Sequence, residues 1–397
     1  MKILQVIPYF SWAHGGPPQS VCGLSRELAR RGHSVTIYTT DTGMFHRLSD
    51  KERVIVPRNL TNSLNIEYFR CINNWVADKV KLGFSPRMRL AIKRTLRDFD
   101  IVHLNDLRNI PNYYTWKYAR EYGTPYILQP RGSIAYHHYE SLFRRTSKQV
   151  FDRAITKRLV EDASMLVALT NAEKEQLIDF GIKPNKIETI PNGFNMADYD
   201  DLPEKGEFRE GYGIGFDEKV VLYLGRLHKR KGIDKLITAF ADVKEELKDT
   251  KLVIAGPDDG SLLALEKQVH DYGLSEDTLF TGPLKNKAKS RAYVDADVSV
   301  LPATNEAFGR TMIESILCGT PVIASAEGGC GELLQDMGCG RIAAFSDPQM
   351  LSKNIKYLLR DPSKSQKLVE IGQRYVSENL TWSTVADKFE KLYGGCI

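Results

Sequence analysis

Short apolar runs alternate along the chain with segments whose apolar residues recur three and four apart. The runs Ile3–Ile7, Ser34–Thr39, Ile101–Leu104, Tyr126–Gln129 and Met165–Leu169 read as buried strands in the first half. Val220–Leu224, Lys251–Ala255, Thr278–Phe280, Val298–Leu301 and Val322–Ala324 read the same way in the second. Between them Gln19–Arg31, Ala172–Asp179, Ile233–Glu246 and Ser261–His270 carry helical spacing. Alternation of this kind predicts an α/β protein of parallel sheets covered by helices on both faces. The series restarts: a strand and a glycine-rich loop, HGGPPQS, open the chain, and a second strand runs into 225-GRLHKRKG-232. The intervening 191-PNGFNMADYDDLPEKGEF-208 has linker composition. The expectation is two doubly wound domains divided near Pro191, with ligands at the carboxyl ends of the strands and in the cleft between the domains.

Composition narrows the picture without redirecting it. A chain of 397 residues exceeds one ordinary core, and its 42% hydrophobic and 26% charged residues are usual for a soluble globular protein. No apolar run reaches the roughly 18 residues of a membrane span. The opening MKILQVIPYF, interrupted by Pro8, reads as a strand and not a signal peptide. Six scattered cysteines without a C-x-x-C pair argue against structural zinc or a disulfide scaffold and for a reducing cytoplasm. A net charge of +5 is too mild for a nucleic-acid partner. Locally, residues 81–97 hold Lys81, Arg87, Arg89, Lys93, Arg94 and Arg97 with no acid, and residues 141–158 hold six cations against Asp152. Met88, Ile92 and Leu96 share one helical face there, so the segment is either a solvated helix over the core or a peripheral contact with the inner membrane face.

The segment 298-VSVLPATNEAFGRTMIESILCGTPVIAS-325 carries the most chemistry. A helix is expected from near Gly309 to about Cys318, stopped by Gly319 and Pro321, which puts Glu306 in the loop before it and Glu314 in its first or second turn. Free N–H groups of Gly309, Arg310, Thr311 and Met312 at its start favour an anion such as phosphate. Two carboxylates beside that point suit pairs of sugar hydroxyls, and an anion flanked by hydroxyl-bearing rings describes a nucleotide sugar. Arg226 and Lys231, just after a buried strand, supply cations for the charge that grows on a diphosphate leaving group. For that loop alone, a solvated basic turn is the competing reading.

These motifs resemble those of glycosyltransferase family 4, the retaining, nucleotide-sugar-dependent group 1 enzymes of GT-B fold. The likeness runs through Gly15-Gly16 and RELARRGHSVTIYT, the Arg226-x4-Lys231 pair, the Glu306-x7-Glu314 pair, 190-IPNGF-194 with Asn192, and the closing TWSTVADKFEKLY. It implies a first domain over 1–190 on the acceptor side, a nucleotide-sugar domain over 191–378, and a final helix over 379–397 returning to the first. It implies that Glu306 meets donor-sugar hydroxyls with the N–H groups of Phe308 and Gly309, and that Glu314 takes the ribose. Arg226, Lys231 and the amides of Thr311 and Met312 would hold the diphosphate, Gly16 would admit it closely, and Leu284 in 282-GPLKN-286 would line the base. No metal cofactor is implied. The donor expected is a UDP-sugar, and the acceptor a hydroxyl of a glycan or glycolipid in a lipid-linked or polysaccharide pathway.

One place departs from the family pattern. Where relatives carry His-Gly, this chain reads 129-QPRGS-133, and Arg131 cannot act as a base at neutral pH. It is expected to bind an anionic acceptor group or the donor phosphate. His103, in 101-IVHLND-106, is either a core histidine or a ligand. Asp295-Ala-Asp297 has metal-binding D-x-D spacing but reads as a solvated strand start, Gly211, Gly213 and Gly215 as a loop, Asp258-Asp259 as a turn, and His137-His138 as too lacking in partners for zinc. A nucleotide-sugar epimerase, hydrolase or phosphorylase, and a catalytically silent nucleotide-sugar binder, are the rival readings.

Overall fold

A computed structural model describes residues 1–43, 46–73, 83–134 and 152–397. Lys81, His137-His138 and most of the 141–158 stretch lie outside the described residues. The chain forms two compact units, 1–194 with 380–397, and 195–379.

Among the described residues, the first unit holds a seven-stranded sheet in the order β3-β2-β1-β4-β5-β6-β7. The strands are β1 Lys2–Tyr9, β2 Ser34–Thr40, β3 Leu64–Phe69, β4 Ile101–Asn105, β5 Tyr126–Gln129, β6 Met165–Ala168 and β7 Ile187–Thr189. All neighbours pair in parallel. Helices cover both faces, so β1, β4 and β5 are buried along almost their whole length, which is why they read as unbroken apolar runs. β3 and β7 escaped the pattern because they lie at the sheet edges, half-exposed or only three residues long.

The second unit holds a six-stranded parallel sheet in the order β10-β9-β8-β11-β12-β13. Its strands are β8 Lys219–Leu224, β9 Thr250–Ala255, β10 Thr278–Gly282, β11 Val298–Leu301, β12 Val322–Ser325 and β13 Arg341–Ala343. The first unit runs four residues past the expected division at 190, because the Phe194 N–H donates to the Leu380 carbonyl and Trp382 N–H to the Phe194 carbonyl. The helix Trp382–Gly394 then buries Val385, Ala386, Phe389 and Tyr393 in the same cluster as Ile3, Ile7, Val21 and Leu24.

Two expectations need correction. Asp295 is not a solvated strand start but fully buried, and its carboxylate accepts the N–H groups of Gly206, Phe208 and Arg209, capping the helix Glu207–Tyr212 from another element. Asp297 pairs at 3.0 Å with Arg209, itself buried. Gly211 belongs to that helix and not to a loop. The basic helix Pro86–Thr95 turns Met88 and Ile92, with Leu96 just beyond it, into the core of its own unit. Its apolar stripe is therefore occupied, while Arg87, Arg89, Lys93, Arg94 and Arg97 face outward beside exposed Phe84 and Leu90.

Candidate functional site

In the second unit the predicted residues gather where β8 and β11 end. The Tyr223 hydroxyl donates to the Arg226 carbonyl at 2.9 Å, and the turn Lys229–Lys231 follows, with His228 Nδ1 accepting the Arg230 N–H. Gly232 ends that turn at φ 67°. A Cβ there would lie 2.1 Å from the Pro302 carbonyl oxygen, so only glycine lets the cationic loop approach the end of β11. The Thr304 N–H donating to the Arg230 carbonyl at 3.1 Å completes the stitch. Lys231 and Glu306 thereby meet in an ion pair, both about a quarter exposed. Burial alone would raise the Glu306 carboxyl, but Lys231, by charge and hydrogen bond, and Arg226 outweigh it and hold it below the usual carboxylate range. Arg226 also pairs at 2.7 Å with Asp259, so the Asp258-Asp259 turn has one member engaged with the cationic loop. Its other member, Asp258, caps the helix Leu262–Asp271 through the N–H groups of Gly260, Ser261 and Leu262.

Glu314 belongs to a second ionic group. It lies on the helix Arg310–Leu317 with its side chain 5% exposed. Lys289 holds one carboxylate oxygen and Arg310 the other, the latter at 3.2 Å. Sequence reasoning missed Lys289, and it used Arg310 for its amide rather than its guanidinium. For Arg310 the signal was present, since it stands four residues before Glu314, whereas Lys289 reaches the acid from the helix Lys287–Asp295, a meeting that spacing does not show. Gly309 starts the glutamate helix at φ 73°, and a Cβ on it would come 2.5 Å from Cys330 Sγ. This tight start changes the expected set of open amides. The Met312 N–H closes on the Gly309 carbonyl at 2.9 Å, and the Gly309 N–H turns to Glu306. The Thr311 N–H is left without a partner among the described residues. Phe308 is buried, and Leu284 is half-buried against the cluster of Phe208 and Val220.

The remaining predicted residues lie in the first unit. Gly15, at φ 80°, precedes the helix Gly16–Arg30, so Gly16 is its first residue and not part of a loop. His103 is fully buried in β4, its Nδ1 within 2.8 Å of the Tyr393 hydroxyl and 3.2 Å of Gln5 Nε2. Burial, and then Arg131, hold its pKa well below 6.5, so it is neutral at pH 7. Arg131 donates from Nε to Asn105 Oδ1 at 2.9 Å and from Nη1 to Asn192 Oδ1 at 3.2 Å.

Two Rossmann-like parallel-sheet units, with a last helix that belongs to the first, are the GT-B architecture. A family model described as Glycosyltransferase Family 4 matches residues 14–198, and one described as Glycosyl transferases group 1 matches 204–375. The chain belongs to the group 1 glycosyltransferases of family 4. Among curated relatives, the alpha-monoglucosyldiacylglycerol synthase of Streptococcus pneumoniae is 28% identical, over 95% of this chain and 84% of its own. A D-inositol 3-phosphate glycosyltransferase of Corynebacterium diphtheriae is 26% identical, over 96% and 90%. Among solved structures, Anabaena HepE in complex with UDP-glucose matches with a TM-score of 0.78 at 19% identity, over the whole of both chains.

Proposed function

We propose that the protein is a retaining hexosyltransferase, moving the sugar of a nucleoside diphosphate donor, a UDP-sugar in first place, to a hydroxyl acceptor. The observation that carries this reading is the pair of ionic groups in the second unit. Lys231 keeps Glu306 ionised beside Arg226, and Lys289 with Arg310 fixes Glu314. An ionised Glu306 accepts hydrogen bonds from donor-sugar hydroxyls, while Glu314, held on both oxygens but with further lone pairs, accepts those of the ribose. Arg226, Lys231 and the Thr311 amide stabilise the diphosphate as it leaves, which is the part a divalent cation plays elsewhere. The anomeric C–O(phosphate) bond breaks as the acceptor oxygen bonds from the same face, and the departing phosphate oxygen takes the acceptor's proton. HepE was solved with UDP-glucose, which supports uridine and glucose as the first donor to try.

The acceptor proposed is a glycan or glycolipid. The diacylglycerol named in the streptococcal relative supports the lipid side, as do the outward cations around the helix Pro86–Thr95. Those cations suit an anionic lipid surface. Replacing Arg87, Lys93, Arg94 and Arg97 by glutamine is expected to abolish co-sedimentation with phosphatidylglycerol vesicles. Undiminished co-sedimentation removes this helix from the contact.

Incubation with labelled UDP-glucose and candidate acceptors, read as free UDP and as product of retained anomeric configuration, tests the transfer. Tight UDP binding with no release for any donor or acceptor would favour a silent binder. An altered free nucleotide sugar would favour an epimerase. An inverted product would sink the retaining mechanism.

A further inference from the structure

Arg131 lies two residues beyond β5, at the carboxyl edge of the first unit's sheet. Its partner Asn105 closes β4, and β1 and β4 are the neighbours at which the strand order reverses. Open parallel sheets take their ligands at that edge. The backbone there is strained: Arg131 adopts φ 55° and Asp106, just after β4, φ 66°. Non-glycine residues are strained in this region and collect at functional sites. Glu173, 1% exposed, keeps the turn in place by accepting the N–H of Gly132 on one oxygen and of Leu169 on the other.

Among the described residues the guanidinium is hydrogen-bonded by neutral groups only. Nε and Nη1 donate to the amide oxygens of Asn105 and Asn192, and Asn105 is itself fixed because its Nδ2 donates to the Gln5 side chain at 2.9 Å. Glu173 and Asp106 act on Arg131 through space, but no carboxylate among the described residues forms an ion pair with it. His103 beside it is neutral and supplies no negative charge. A largely buried cation without a paired anion is costly, and the Nη2 side of its fork has no hydrogen-bond partner among the described residues.

We propose that Arg131, oriented by Asn105 and Asn192, is an oxyanion site that binds a phosphate or carboxylate group carried by one of the substrates. The site stands on the geometry of the first unit. Only the identity of the anion's carrier, acceptor or donor, rests on the transferase reading.

Inorganic phosphate is the probe, titrated calorimetrically into the full chain with and without saturating UDP. Arg131→Met is expected to weaken phosphate binding by about tenfold or more, and Arg131→Lys by less, because lysine keeps the charge without the fork. Arg131-dependent binding that persists under UDP assigns the anion to the acceptor. Binding that UDP abolishes assigns it to the donor's own phosphates. No phosphate binding by the parent, or equal affinity in parent and Arg131→Met, overturns the site, and it does so even where UDP-sugar turnover is demonstrated. If Arg131→Met fails to fold, phenylglyoxal modification of the unmutated protein serves instead. Phosphate must slow modification of the Arg131 peptide, and an unchanged rate overturns the proposal.

Discussion

Lys231 and Glu306 touch, and the lysine holds the carboxyl below its ordinary value. If Lys231 stabilises charge that peaks as the phosphate departs, Lys231→Ala lowers kcat by about a hundredfold while raising the donor's Kd much less. A raised KM with unchanged kcat would assign it to ground-state binding only. The same substitution has a signature in pH. The Glu306 carboxyl is held below its ordinary value, so its ionised form is present at neutral pH and lost as pH falls through that depressed value. Removing Lys231 leaves burial less opposed, and the acid limb of kcat/KM moves to higher pH. At Glu314 the test is affinity: Glu314→Gln weakens UDP binding, and Lys289→Met weakens it by a smaller factor without changing kcat. Equal UDP affinity in Glu314→Gln and parent takes Glu314 off the ribose, whereas loss only in Glu314→Gln leaves Lys289 without a positioning role.

Elements here are held by polar groups that the periodicity of the sequence does not reveal. The helix Glu207–Tyr212 is short, and its start is satisfied by Asp295, some ninety residues later in the chain. Asp295→Ala strands three buried N–H donors and is expected to cost the second unit about 3 kcal/mol, read from its urea midpoint. Asp295→Asn, which keeps one acceptor oxygen, should cost less. The D-x-D spacing was visible in the sequence, but a solvated pair and a buried cap look alike until the strand after them is known to lie inside. Helix starts were more legible. Gly309 before the glutamate helix and Gly232 before Ile233–Glu246 were placed correctly by their neighbours, although the reason for each, a sulfur or a carbonyl in the way of a Cβ, is tertiary.

At the scale of the whole molecule the chain leaves the first unit at Phe194 and re-enters it at Leu380. The returning helix brings four core side chains, of which Val385 and Phe389 contribute about 1.5–3 kcal/mol each, against the ~5–15 kcal/mol that keeps a domain folded. It adds the Tyr393 hydroxyl on His103, and Arg31 pairs with Asp387 at 2.5 Å and Glu390 at 2.7 Å. Ending the chain at Asn379 is therefore expected to strip hydrogen-exchange protection from β1 while β8 keeps its own. Unchanged protection of β1 would show the helix to be dispensable.

Local order set the strand and helix alternation, the restart near β8 and the spacing of both motif pairs, because buried parallel strands must be apolar throughout and a helix start must be punctuated. Apart from Arg310, four residues from Glu314, which cation each acid meets came only from the tertiary structure. Lys289 reaches Glu314 across 25 positions and Lys231 reaches Glu306 across 75, separations at which spacing carries no information. The same holds for Arg131: its sequence context suggests an anion ligand, and only the folded first unit shows a guanidinium gripped by two amides and, among the described residues, lacking a bonded carboxylate.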